Sequence, residues 1–172
     1  MKNRTIELNG HSLTVTDMVN VARHGYQVVL DPAAQNLVEG CARAVESWVR
    51  GGKVVYGITT GFGDLSTVVI PAEKSSDLQR NLLISHACGL GQPFQEDVVR
   101  AIMLLRINTL TRGFSGISLE TLMQLVNFLN LGIHPVIPCQ GSVGASGDLC
   151  PLSHLAITLM GEGEVFFQGK RM

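Results

Sequence analysis

The chain has 172 residues, enough for one domain with its own core, and 45% of them are apolar against only 16% charged. The formal net charge is −1 and Lys and Arg form no block, which argues against a nucleic-acid-binding protein. No apolar run approaches membrane-spanning length, so we expect neither membrane nor nucleic acid as a partner.

The four cysteines show no spacing typical of a metal site. Cys41, Cys88, Cys139 and Cys150 contain no C-x-x-C pair, and no two-cysteine, two-histidine arrangement accompanies them. The start of the chain is too polar for the apolar core of a signal peptide. We therefore expect free thiols and a cytoplasmic protein without a metal.

The first elements are predicted as a small hairpin followed by a short helix. Residues 5–8 and 12–15 alternate like strands, and Asn9-Gly10 between them favours a tight turn. Thr16-Asp17 can cap a helix that stops near Gly25. This hairpin is the one β feature that we expect at the N-terminus.

The remaining pattern is helical, so the predicted class is mainly α. Asp31-Pro32 begins a helix that Gly51-Gly52 ends, because an acidic cap followed by proline is a strong start signal. Further helices are predicted over residues 76–87, from residues 95–97 through Val98, Ile102 and Leu105, from the cap Ser118 to Gly132, and after Asp148 with Leu152, Leu155 and Leu159.

The loop from Gly141 to Asp148 contains three glycines, two serines and an alanine. It could be a tight turn in which Asp148 or Ser146 caps the next helix. It could also bind an anion at the helix start, but its glycines do not have a phosphate-loop spacing.

A third interpretation fits the residue types of this loop better. The Gly147 amide nitrogen can attack the Ala145 carbonyl carbon and close a five-membered ring, because glycine has no Cβ to obstruct the bend. Loss of that carbonyl oxygen as water, and of the Ser146 hydroxyl as a second water, leaves an exocyclic methylene conjugated with the ring. The product is a methylidene-imidazolone, an electrophile that needs no external cofactor.

Three motifs in order resemble the aromatic amino-acid ammonia-lyases. Residues 141–154, GSVGASGDLCPLSH, look like the signature of that family. Residues 56–63, YGITTGFG, resemble its tyrosine loop, and residues 83–91, LISHACGLG, resemble the serine–histidine segment of its histidine and tyrosine enzymes. The resemblance implies the helical ammonia-lyase/fumarase-like fold.

The resemblance also implies roles for particular residues. Ala145, Ser146 and Gly147 match the residues that form the methylidene-imidazolone, and Tyr56 matches the base that removes the substrate's β-proton. A phenol in that role must be favoured in its charged form by helix N-termini or hydrogen bonds. The alternative for Tyr56 is a half-buried strand tyrosine.

His86 matches a residue that contacts the substrate side chain. A polar group there suits an imidazole or a phenol, because it rejects analogues that lack a matching group. The alternative for His86 is a histidine that satisfies the last carbonyls of its helix. Asp148 could be a helix cap or could assist ring closure. We interpret His11, His24, His134 and His154 as surface or packing residues.

The combination looks most like a histidine ammonia-lyase that gives urocanate. A tyrosine ammonia-lyase or tyrosine aminomutase is the enzymatic alternative, and a non-catalytic folded or assembling fragment is the other. Residues 1–172 match only the N-terminal catalytic-loop domain, about the first third of a family member, without the central helical bundle. Because the family shares its active site among subunits of a tetramer, we expect a homo-oligomer and an inactive isolated chain.

Overall fold

The structure is a computed structural model that describes residues 4–145 and 147–172. Over these residues it is mainly helical, as predicted, and the helices are α1 Val15–His24, α2 Pro32–Arg50, α3 Ser75–His86, α4 Glu96–Leu110, α5 Leu119–Leu131 and α6 Leu149–Leu159. The strands are short: β1 Thr5–Leu8, β2 Gln27–Leu30, β3 Leu90–Pro93, β4 His134–Pro135, β5 Pro138–Gln140, β6 Val165–Phe167 and β7 Lys170–Arg171. No helix of the described ranges is long and apolar enough to cross a membrane.

Local capping signals fix the helix ends, and most predicted ends are confirmed. The Asp31 carboxylate accepts from the Ala34 amide at 2.8 Å, with proline at the first position of α2. Helix α5 begins after Ser118, whose hydroxyl accepts from the Thr121 amide, and ends at Gly132 with a left-handed backbone.

The predicted N-terminal hairpin is wrong. Strand β1 pairs in parallel with β2, and α1 is the connection between them. The Asn9 side chain accepts from the amides of residues 11 and 12, which turns the chain away from β1. Thr14 then forms a capping box with Asp17, so the predicted second strand becomes a helix start. The predicted cap, Thr16-Asp17, lies two residues too late.

The core lies between α4, α5 and the β1–β2 pair. On α4 the buried face differs from the predicted one, because Val98 and Leu105 are half-exposed and Ile102 is only half-buried. On α5 the predicted apolar stripe is buried as expected. The largest buried side chains of these two helices are Met103, Leu104, Ile107, Leu122, Leu125 and Leu129.

A buried arginine replaces apolar packing at one point of the core. The Arg100 guanidinium donates to the carbonyl oxygens of Val21 and Leu129 and to the His134 ring nitrogen Nε2, at 2.8 to 3.2 Å. Because guanidinium is only a donor, His134 Nε2 must be the acceptor and unprotonated. Glu96 lies 3.8 Å from the same nitrogen. His134 therefore folds as a neutral packing residue.

Two buried threonines hold the glycine-rich segment that follows α2. The Thr59 hydroxyl donates to the Lys53 carbonyl at 2.7 Å and accepts from the Val55 amide at 2.8 Å. The Thr60 hydroxyl accepts from the Gly57 amide at 3.2 Å. These bonds replace the regular ladder that the segment lacks, because buried backbone groups need partners.

We expect the stability of the fold to fall on mild acidification because of His134. Burial lowers the pKa of His134 below its ordinary value; Glu96 opposes this and Arg100 adds to it. The unfolded chain then binds the proton first, so the free energy of unfolding falls as the pH drops below about 6.5. His134→Gln keeps an acceptor for Arg100 but does not titrate, and should lose less stability on acidification.

Urea unfolding between about pH 7.5 and about pH 5 measures this difference. His24→Gln, at an exposed histidine, is the matched control and should behave like the parent. Equal acid sensitivity of the parent and His134→Gln would contradict the assignment.

We expect Thr59→Val to destabilise the chain by about 1–3 kcal/mol, because it removes the two part-buried hydrogen bonds that the Thr59 hydroxyl makes with the Val55 amide and the Lys53 carbonyl. Thr59→Ser retains the hydroxyl and is the matched control. Chemical denaturation measures both variants, and equal stability of the two would show that the hydroxyl bonds do not hold the segment.

Candidate active site

The loop from Gly141 to Asp148 bends back on itself in front of α6. Gly144 and Gly147 have φ angles of 72° and 94°, a backbone conformation that residues with a side chain rarely adopt. Gly147 pairs with both Gly144 and Ala145, so the backbone at these three residues lies close together. Ser146 itself lies outside the described residues. The bend fits a ring between Ala145 and Gly147.

Asp148 closes the base of this loop. It occupies the position before the first turn of α6, but its side chain makes no capping bond there. Its carboxylate instead accepts a hydrogen bond from the Ser142 hydroxyl. This bond spans the loop from its second residue to its last, so Asp148 restrains the conformation of the intervening residues.

The serine–histidine segment lies directly beside the start of this loop. Strand β3 pairs antiparallel with β5, and Leu90 is opposite Gln140, the residue before Gly141. A Cβ on Gly141 would lie 3.1 Å from the Gly89 Cα and 2.5 Å from the Cys150 sulfur. The structure thus brings together two of the three motifs that the sequence singled out.

His86 is the last residue of α3 and is half-buried. Its Nδ1 lies 2.8 Å from the Leu82 carbonyl oxygen, which can only accept. Nδ1 therefore carries a proton, and in the neutral ring Nε2 is left as an acceptor. His86 makes the helix-end bond of the alternative interpretation, and the same bond leaves its other nitrogen available.

Tyr56 lies in a turn, so the strand alternative is wrong. Its side chain is 63% exposed, and its ring meets Phe62 edge-on with centroids 6.1 Å apart. A Cβ on Gly57 would lie 3.1 Å from the Phe62 ring, so glycine allows this close approach. Among the described residues, the hydrogen bonds of segment 53–70 stay within it, apart from the Lys53 amide, which donates to the Trp48 carbonyl at 3.0 Å. Among the hydrogen bonds of residues 4–145 and 147–172, none joins Tyr56 to the loop 141–148.

Sequence reasoning missed the role of His154 in this region. Nε2 of His154 accepts a hydrogen bond from the Gly89 amide at 3.0 Å, 65 residues earlier in the chain. Burial lowers the pKa of His154. Cys150 is buried four residues earlier on α6, and burial, then the neighbouring Cys88, raises the pKa of its thiol. The four-residue spacing places both side chains on one helix face.

A cavity of about 170 Å³ lies against the loop. Its lining is mostly apolar, with Ser142 and Asp148 as the polar members, and consists of Phe94, Ile102, Pro138, Cys139, Ser142, Asp148, Pro151 and Leu152. Tyr56 and His86 do not line it. Within residues 4–145 and 147–172 no cluster of histidine, cysteine and carboxylate side chains could hold a metal ion.

Comparison with known proteins gives one consistent result. Residues 13–172 match the family model described as aromatic amino acid lyase. The chain is 55% identical over 169 residues to the histidine ammonia-lyase of Alkaliphilus oremlandii, a match that covers 98% of this chain and 33% of that protein. The chain thus spans about a third of the length of the curated relatives it matches.

Solved structures agree with the fold. Ergothionase from Treponema denticola superposes with a TM-score of 0.93 at 36% identity, over 98% of this chain and 34% of that one. Tyrosine aminomutase from Streptomyces globisporus superposes with a TM-score of 0.91 at 36% identity, over 98% and 31%. Together with the family model, which covers nearly the whole sequence, these likenesses show that the chain belongs to the aromatic amino acid lyase family.

Proposed function

We propose that the protein is an ammonia-lyase that converts L-histidine to urocanate and ammonia. The single observation that carries this proposal is the placement of the serine–histidine segment against the Ala-Ser-Gly loop, through the β3–β5 pairing and the Gly89–Gly141 contact. His86, the proposed contact for the substrate side chain, is thereby three residues from the point where this segment meets the loop that is proposed to form the electrophile.

Ala145, Ser146 and Gly147 would form a methylidene-imidazolone, the only cofactor in this proposal. That group supplies an electrophile for the substrate without any external cofactor. The positive φ of Gly144 and Gly147 supports a bend of the kind that ring closure needs. The hydrogen bond between Ser142 and Asp148 would help to maintain that bend. We assign Asp148 the role of holding the loop for ring formation.

Tyr56 is the proposed base for the β-proton. Its oxygen takes the proton, the electron pair of the C–H bond becomes the new double bond, and the amino group leaves as ammonia. The threonine bonds on both sides of Tyr56 support a fixed backbone at this position. Because its ring is exposed in the single chain, the proposal needs another surface to cover it and exclude water.

His86 is the proposed substrate contact. With Nδ1 bonded to the Leu82 carbonyl, Nε2 can accept a hydrogen bond from an imidazole N–H of the substrate. A phenol O–H could donate to the same atom, so tyrosine is the second candidate substrate, favoured by the likeness to a tyrosine aminomutase. The higher identity to curated histidine ammonia-lyases favours histidine.

We propose that residues 1–172 are the catalytic-loop domain of a cytoplasmic homotetramer whose subunits share active sites. Exposed large apolar side chains support this proposal, because contact with another chain would remove them from water. Among the described residues they include Val15, Leu37, Val54, Leu65, Leu90, Phe114, Leu131 and Val143. The isolated chain would then associate and would be inactive.

The active protein should contain a peptide across residues 141–149 that is lighter than the encoded mass by two water molecules. Ser146→Ala removes the leaving hydroxyl, so it should restore the mass expected without cyclisation and reduce turnover by at least about a thousandfold. Peptide mass spectrometry and a urocanate assay measure the two effects. An unmodified mass in an active protein would refute the electrophile.

The isolated 172-residue chain is the informative comparison for that experiment. We expect an unmodified Ser146, no urocanate, and an oligomer or aggregate by light scattering. Urocanate production by the isolated chain would show that no further segment is needed, and a stable monomer would contradict the association. If the full protein also lacked activity, the alternative of a non-catalytic assembly fragment would be favoured.

Tyr56→Phe should lower kcat by at least about a hundredfold with little effect on KM, because it removes a proton acceptor and leaves the ring. Tyr26→Phe, at a half-buried tyrosine outside the motifs, is the control for this variant.

His86→Phe should reduce kcat/KM for histidine by about tenfold or more and improve the relative use of phenylalanine. An unchanged histidine-to-phenylalanine ratio in His86→Phe would disprove the substrate contact.

A further inference from the structure

A single side chain connects the serine–histidine segment to the helix that follows the Ala-Ser-Gly loop. His154 lies in α6, and its Nε2 accepts from the Gly89 amide at 3.0 Å. A backbone amide can only donate, so this nitrogen is unprotonated and the neutral ring carries its proton on Nδ1. The bond fixes the backbone three residues after His86.

The atoms around this bond are closely packed against Gly89. A Cβ on Gly89 would lie 3.0 Å from His154 Nε2, 3.1 Å from the Pro138 Cβ and 3.2 Å from the Cys150 sulfur. The same Cys150 sulfur would lie 2.5 Å from a Cβ on Gly141, the first residue of the loop. The segment, the start of the loop and α6 therefore meet at one point.

His154 supplies the directional part of this contact. Helix α3 also packs on α6, and its Arg80 forms a two-bond ion pair at 2.9 and 3.1 Å with Glu162, which lies three residues after the end of α6. That pair is half-exposed, so water competes with it. The Gly89–His154 bond is better shielded and joins the chain next to His86 to α6, one turn and a half after the loop ends.

We propose that His154 is a positioning residue for substrate binding: by holding the Gly89 amide, it fixes where His86 lies relative to Ala145 and Gly147. This inference rests on the proposed role of His86 as the substrate contact. His154 does not itself touch the substrate. It acts through the backbone of residues 86–89.

The test is a double-substitution cycle in the active protein. His154→Phe keeps an aromatic ring of similar size but removes the acceptor, and should lower kcat/KM for histidine about tenfold, mainly through KM. His154→Gln places an amide oxygen within similar reach and should recover most of the loss. In a His86→Phe background, His154→Phe should cause little further loss, because the residue through which it acts is already gone.

Independent losses in the two backgrounds would overturn the proposal, as would a His154→Phe variant with parental KM. His24→Phe, at an exposed histidine on α1, controls for general effects of replacing imidazole with phenyl. The mass of the Ser146 peptide should be the same in the parent, His154→Phe and His154→Gln, since the loop residues are unchanged. A selective loss of cyclisation in His154→Phe would assign His154 to ring formation and would also overturn the proposal.

Amide hydrogen exchange gives a second measurement that does not depend on activity. The Gly89 amide should exchange at least about tenfold faster in His154→Phe than in the parent, and His154→Gln should restore its protection. If His154→Phe does not fold, Gly89→Ala tests the contact from its other side. Unchanged protection of Gly89 would overturn the proposal. A parent that turns over no histidine would refute the proposed function and with it the role in substrate binding, whereas Gly89 protection would still decide whether His154 holds this backbone.

Discussion

The arrangement of the candidate site depends on one close contact, at which Gly89, Gly141 and Cys150 meet without room for a further carbon atom. The absence of a side chain on both glycines lets two distant segments approach α6 together, and the β3–β5 pairing aligns them. His154 adds a directional bond to this packing. Because packed interiors tolerate little change in volume, any larger residue at Gly141 must displace the loop or the helix.

This contact holds Gly141, the first residue of the otherwise exposed loop, against α6. The loop residues Gly144, Ala145 and Gly147 are exposed in the single chain, and Tyr56 is exposed as well. Hydrogen bonds hold the backbone of the loop 141–148 and of the segment around Tyr56. Among the described residues, however, no common pocket encloses the two. In the proposed homotetramer, a neighbouring subunit would cover these exposed motifs.

The helix ends could be predicted from sequence because their causes are local. Asp31 and Ser118 cap helices through amides three residues away, and Gly132 ends one by its own backbone conformation. The pairing of β1 with β2 could not be predicted in this way, because β2 begins at Gln27, fifteen residues after the start of the expected partner, residues 12–15. His154 was missed for the same reason: its partner is a backbone amide in another segment, and only its spacing from Cys150 marked the shared face.

The central claim is that the protein eliminates ammonia from histidine, and product analysis of the active protein tests it most directly. Histidine, tyrosine and phenylalanine would be offered in equal amounts and the products identified by mass. We expect urocanate and ammonia from histidine, with kcat/KM at least about tenfold above that for phenylalanine, because phenylalanine has no group to donate to the acceptor proposed on His86. We also expect histidine to be preferred over tyrosine, as the identity to curated histidine ammonia-lyases favours. Preferred conversion of tyrosine, or no conversion of any of the three, would contradict the account.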